Sequence, residues 1–145
     1  MVKALKLVKW DGHPEEETFP SIFAYFDVQR CKLKDIFWRG VNLRNVDLYG
    51  SDLSNASLRC ADLRNAVLYE ANLVRCKFMG ANLEKANLEW ARIEAADFSG
   101  AKLGEAKLTN AVFDDRTKWT DAFDAIASGA VRSGAPVPPS TLYPY

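Results

Sequence analysis

Residues 31–115 read CKLKD IFWRG VNLRN VDLYG SDLSN ASLRC ADLRN AVLYE ANLVR CKFMG ANLEK ANLEW ARIEA ADFSG AKLGE AKLTN AVFDD. These are seventeen consecutive five-residue units with no insertion. The third position of each unit is always large and apolar: Leu in twelve units, and Trp38, Phe78, Ile93, Phe98 and Phe113 in the others. The first position is small in most units, with eleven Ala joined by Cys31, Ser51 and Cys76. Positions two, four and five are mainly polar. A period of five fits neither a strand (2.0) nor a helix (3.6). The chain must therefore turn by a fixed angle every five residues. Closing it into a coil brings every large centre inward, and the small first residue fits beside it.

The A(D/N)LXX pattern resembles the pentapeptide-repeat family. The resemblance implies an all-β solenoid, a right-handed quadrilateral β-helix with four units per coil. Eighty-five residues then make about four coils, and one strand spacing of ~4.8 Å per coil gives a stack roughly 20 Å tall. The organisation expected is an N-terminal arm and cap (1–30), the repeat body (31–115), a C-terminal cap (116–130) and a Pro-rich tail (131–145). Open solenoid ends expose backbone and core, so short caps, helical or turn-like, are expected at both. Phe113, Asp114, Thr117, Trp119, Phe123 and Asp124 match a closing segment, F-D-x-x-T-x-W-P-x-x-F-D-P, of many bacterial and notably cyanobacterial members. Thr120 and Ala125 stand where that pattern has proline. Trp119 and Phe123 would cover the last coil, and Asp121–Ser128 has the length of a short helix ended at Gly129. In the tail, Leu142, Tyr143 and Tyr145 have the look of a short peptide ligand.

A register of twenty sorts the centres into four columns. Two are all Leu, and every aromatic centre falls in the two adjacent others, one of them Trp38, Leu58, Phe78 and Phe98. Ile36, Val41 and Val46 enlarge the first position in the first coil, which implies looser packing against a cap. Outward positions stack in the same way. Tyr49 lies one coil from Tyr69, and Trp90 one coil from Glu70. Outward aromatics are enriched at interaction surfaces, so Tyr49, Tyr69, Glu70 and Trp90 form the candidate protein-binding surface. The plainer reading is that they cover a flank or lie under a terminal segment. Arg39, Arg44, Arg59 and Arg64 gather at one corner and form a secondary candidate for an anionic partner, or else a solvated face beside nearby acids.

The chemistry points away from catalysis. The one histidine, His13, sits in an Asp-Gly-His-Pro turn, so no Ser/His/Asp set exists beyond it. Cys31 and Cys76 occupy the inward small position, and Cys60 faces outward as a candidate reactive thiol. Three cysteines without a CxxC pair give no disulfide framework and no zinc signature. No metal and no cofactor is expected. The chain carries 19 Lys+Arg and 19 Asp+Glu, with formal net charge zero. The repeat body is itself neutral, twelve basic residues against twelve acidic. Nucleic-acid binders show a basic excess, so no nucleic-acid partner is expected. Some proteins of the resembled family mimic the DNA duplex towards type II topoisomerases. That role needs an acidic rod, so it stands as an alternative that zero net charge disfavours. No apolar run reaches the ~18 residues of a membrane span. The expected protein is cytoplasmic, a monomer or end-to-end dimer, and a non-catalytic scaffold for a protein partner.

Overall fold

The computed structural model describes residues 28–134. Residues 1–27 of the expected N-terminal arm and cap, His13 among them, and most of the Pro-rich tail lie outside the described residues. Within the repeat body the register is twenty. Parallel bridges join Lys32 to Asp52, Phe37 to Ser57, Asn42 to Asp62 and Asp47 to Val67, and the same step recurs up to Arg92–Val112. Four units thus make one rung, and each rung lies directly on the next.

The backbone arithmetic of one unit explains why five residues suffice. In the unit 51–55, the Ser51 amide closes a turn onto the Leu48 carbonyl. Asp52 N–H donates down to the Cys31 carbonyl, while Leu53 and Asn55 N–H donate up to Asn72 and Val74. Four of the five amides are satisfied without a conventional sheet, as buried backbone requires. The amide left over is at position four. An Asp or Asn at position two takes it: Asp52 accepts from Ser54 (3.0 Å), Asp47 from Tyr49 (3.0 Å), Asn82 from Glu84 (3.0 Å) and Asp97 from Ser99 (3.0 Å). This local bond is why Asp and Asn are selected at that position.

Position five carries a left-handed backbone throughout the body, from Asp35 (φ 60°) to Asn110 (φ 60°). A β-turn with positive φ at its third residue is type II in character, which favours Gly or Asn. Gly40, Gly50, Gly80, Gly100 and the Asn at 45, 55, 65 and 110 meet that demand. The corners are therefore set by local sequence, and the centres are set by burial. Leu43, Leu48, Leu53, Leu58, Leu63, Leu68, Leu73, Leu83 and Leu88 have no exposed surface, and neither have the small residues Ala56, Ala66, Ala71 and Cys76 between them. In the first rung, Cys31 and Ile36 are only partly buried, whereas Val41 and Val46 are buried. Ser51, the one hydroxyl at an inward first position, donates to the Val28 carbonyl (2.8 Å) and accepts from the Cys31 amide (3.2 Å).

The closing segment continues the stack with a shift of one residue. Asp97 pairs with Lys118, twenty-one positions on, so Trp119 takes the next centre. The extra residue is absorbed at the corner Asp114–Arg116. There the Asp114 carboxylate accepts from the Ala95 amide (2.9 Å) and the Arg116 amide (3.1 Å), and pairs with the Arg116 guanidinium (2.6 Å). The buried Thr117 hydroxyl donates to the Ile93 carbonyl (3.0 Å) and accepts from the Asp114 amide (3.1 Å). Phe78, Phe98 and Trp119 then stack face to face, at 4.9 Å and 5.0 Å between centroids and nearly parallel (5° and 6°). Phe123 covers Trp119 at 5.1 Å. Strand β1 (Val112–Phe113) pairs in parallel with β2 (Val131–Arg132), so the pairing runs one element past the closing segment. Asp121–Ser128, expected as a helix, makes turns instead. Ala122 has positive φ (58°), and the Asp124 carboxylate accepts from Ala127 N–H (2.9 Å), which closes a single turn that does not propagate.

Burial pushes the Asp114 carboxyl up, but the Arg116 side chain and the Ala95 and Arg116 amides outweigh it and lower it to about 2. A depressed carboxyl stabilises the fold above its unfolded value of 3.8, and this is lost as pH falls through the folded value. Acidification from pH 4 to pH 2 is therefore expected to loosen the closing corner. Trp119 near-ultraviolet dichroism should weaken over that window, and an unchanged signal down to pH 2 would contradict it.

Candidate functional site

The four outward candidates share one corner column, formed where the units centred on Leu48, Leu68 and Leu88 turn into the next side. The Tyr49 and Tyr69 rings stack at 5.8 Å with a 21° interplanar angle. The Arg30 guanidinium lies 5.4 Å from the Tyr49 ring centroid on the rung before, a cation–π contact. The Tyr49 hydroxyl donates to the Glu70 carboxylate (3.0 Å), which fixes both side chains. Burial pushes the Tyr69 phenol up, with the Glu70 and Glu89 carboxylates and Tyr49 adding to it. Trp90 continues the column and is 40% exposed. The geometry thus brings all four together, as the twenty-residue register predicts. It does so at a cost. Glu70 (φ 57°) and Trp90 (φ 61°) stand in the left-handed position where Gly or Asn is the easy choice. A bulky residue there is uncommon and strained by roughly 1–3 kcal/mol.

The four arginines are not one cluster: Arg39 is exposed on the rung before Arg59, while Arg44 and Arg64 face a separate depression. Arg64 is committed to Asp62 through its Nε (2.8 Å) and terminal nitrogen (2.5 Å). That hydrogen-bonded pair holds the Asp62 carboxyl below its ordinary value against the effect of burial, with Arg44 helping. Arg44 and Arg64 line a shallow depression whose other walls include Glu84, Lys85 and Glu105, so charges of both signs meet there. Arg59 faces a different depression, with Arg75, Lys77, Arg116 and Lys118. Sequence reasoning missed that second grouping. Arg116 and Lys118 enter it only after the one-residue shift at the closing corner.

Cys76 is fully buried and its thiol is pushed well above the ordinary value by that burial. Cys60 is exposed, at a left-handed corner, with its Sγ 3.9 Å from the Met79 carbonyl. Among the described residues no group of three or more His, Cys, Asp or Glu is placed to hold a metal ion. Among them, too, no helix is long and apolar enough to cross a membrane.

A family model described as pentapeptide repeats (8 copies) matches residues 27–59, 56–94 and 91–115. The chain belongs to the pentapeptide-repeat family. Proteins of this family are generally non-catalytic, protein-interacting scaffolds. A pentapeptide-repeat protein from Nostoc is 30% identical over 73% of this chain and 85% of its own, with a TM-score of 0.44. Another, from the Arabidopsis thaliana thylakoid lumen, is 21% identical over 61% of this chain and 66% of its own, with a TM-score of 0.51, and shows the fold alone. HetL, a Nostoc pentapeptide-repeat protein involved in heterocyst differentiation regulation, is 29% identical over 65% of this chain and 51% of its own, with a TM-score of 0.39. No curated protein matches.

Proposed function

We propose that the chain is a rigid scaffold that presents the column of Tyr49, Tyr69, Glu70 and Trp90 to a partner protein. In this reading it is a cytoplasmic, right-handed quadrilateral β-helix of about four coils, and its flat faces carry the recognition. The observation that supports it most is the aromatic ladder. Two stacked tyrosines are locked by a carboxylate, and a tryptophan is held in solvent at a backbone position that disfavours it. A flank that only needed covering would use a small residue at that corner, as Gly50 does in the same column. Rigid aromatics lose little conformational entropy on binding and dominate interface energetics. Trp90→Ala is expected to reduce partner capture at least about tenfold in a quantitative pull-down, in line with a hot-spot loss of ~1.4 kcal/mol or more, and to leave the melting temperature unchanged or raised. Recovery of the same partners in the same amounts by both proteins would sink this site.

A further inference from the structure

We propose that the corner formed by Arg59, Arg75, Lys77, Arg116 and Lys118 is a docking site for an acidic, extended segment of a partner protein. It rests on the protein-binding reading above but not on the aromatic column, which lies at another corner. The five cations line one open depression of about 280 Å³, with Met79 and Ala95 supplying apolar surface and Asp97 the single lining acid. Three of them, Arg59, Arg75 and Lys77, are exposed and make no ion pair among the described residues. Arg116 and Lys118 are anchored beside them by Asp114 (2.6 Å) and Asp97 (3.7 Å). A chain with no net charge thus carries a local cationic excess, built by stacking and not by composition.

The chemistry of the corner selects its occupant. Lys77, Asp97 and Lys118 lie on consecutive rungs, so the two ammonium groups stem from strands two steps apart, ~10 Å. In an extended peptide, carboxylates two residues apart lie on one face at ~7 Å, within reach of those flexible side chains. The guanidiniums of Arg59 and Arg75, unpaired among the described residues, add planar forks that match carboxylate geometry. A nucleic acid is the poorer match. Its phosphates form a continuous track, and here the cationic surface is short and shares its rim with Asp97 and Asp114.

The test is fluorescence anisotropy with a labelled octa-glutamate peptide at low salt, with single-stranded and duplex oligonucleotides of equal charge as competitors. The full chain should bind the peptide, and added salt should weaken it. Arg59→Glu/Arg75→Glu/Lys77→Glu should lower affinity at least about tenfold, as expected when unpaired cations at a docking site are reversed. Reversing Lys85, Lys102 and Lys107 to Glu, the same charge change elsewhere, should lower it less than about twofold if only long-range screened charge is altered. The neutral triple Gln variant keeps the test valid should the Glu variant fail to fold. Absence of peptide binding, an equal loss in the control variant, or tighter binding of an oligonucleotide through the same three residues would overturn the proposal. Trp90→Ala should leave peptide binding intact. Loss of partner capture on Trp90→Ala with peptide binding retained separates the two surfaces.

Discussion

Replacing Phe98 with alanine is expected to destabilise the protein by about 3–5 kcal/mol, the usual range for a fully buried aromatic truncated in a core. Phe98 has no exposed surface and is the middle ring of the Phe78–Phe98–Trp119 stack. Its loss removes buried area and both face-to-face contacts, each worth about 0.5–1.5 kcal/mol beyond area. The position adds a second signature. Repeat stacks gain stability from nearest-neighbour interfaces, so damage next to an end detaches that end first. Phe98→Ala should therefore melt residues after Phe113 ahead of the body. Trp119 dichroism should be lost before the far-ultraviolet signal, and coincident transitions in the mutant would count against the shifted register.

Leu83→Ala should cost about 2–5 kcal/mol by leaving a cavity in the middle of the stack. Leu83 is fully buried, between Leu63 and Leu103 in an all-leucine column. Its amide donates to the Lys102 carbonyl (2.8 Å) and its carbonyl accepts from the Ala86 amide (3.0 Å), so the rung cannot shift to fill the space without breaking both. The rigid backbone places this site towards the upper part of the range. Lys85→Ala, two residues on and exposed, is the matched control and should stay within about 0.5 kcal/mol. Urea unfolding of the three proteins decides it. A Leu83→Ala cost no larger than that of Lys85→Ala would show that the third position does not point inward.

Much of this was readable from the chain because period-five constraints act locally. Large centres, small first positions and the Tyr49–Tyr69 neighbourhood follow from counting in fives and twenties. The Asp and Asn at position two are also local, since each bonds an amide two residues on. What counting could not give begins at the corner after Phe113. There the Asp114 side chain does what a backbone carbonyl does elsewhere, and one residue is gained. The match of Phe113, Asp114, Thr117 and Trp119 to a closing segment was visible, but not that Trp119 continues the aromatic column beneath Phe123. For the same reason Arg116 and Lys118 could not be placed beside Arg59, Arg75 and Lys77. Nor could the pairing of Arg64 with Asp62, which divides the expected arginine cluster. The short turn at Asp121–Ser128 was hidden by its length, because Ala122 and Asp124 end any helix before it starts.

The stack is held rigid because its rungs bond to one another at every unit. Amide hydrogen exchange tests this most directly, because each position of the unit has its own partner. The centre amides Leu63, Leu73, Leu83 and Leu88 donate to the next rung and should exchange only on global opening, orders of magnitude slower than free peptide. The position-four amides of Arg59 and Met79, whose units have Ser57 and Lys77 in place of Asp or Asn, should exchange quickly. Slow leucine-centre amides throughout, with fast position-four amides only in the units that lack Asp or Asn at position two, is the predicted result. Uniformly fast exchange at the leucine centres would contradict it.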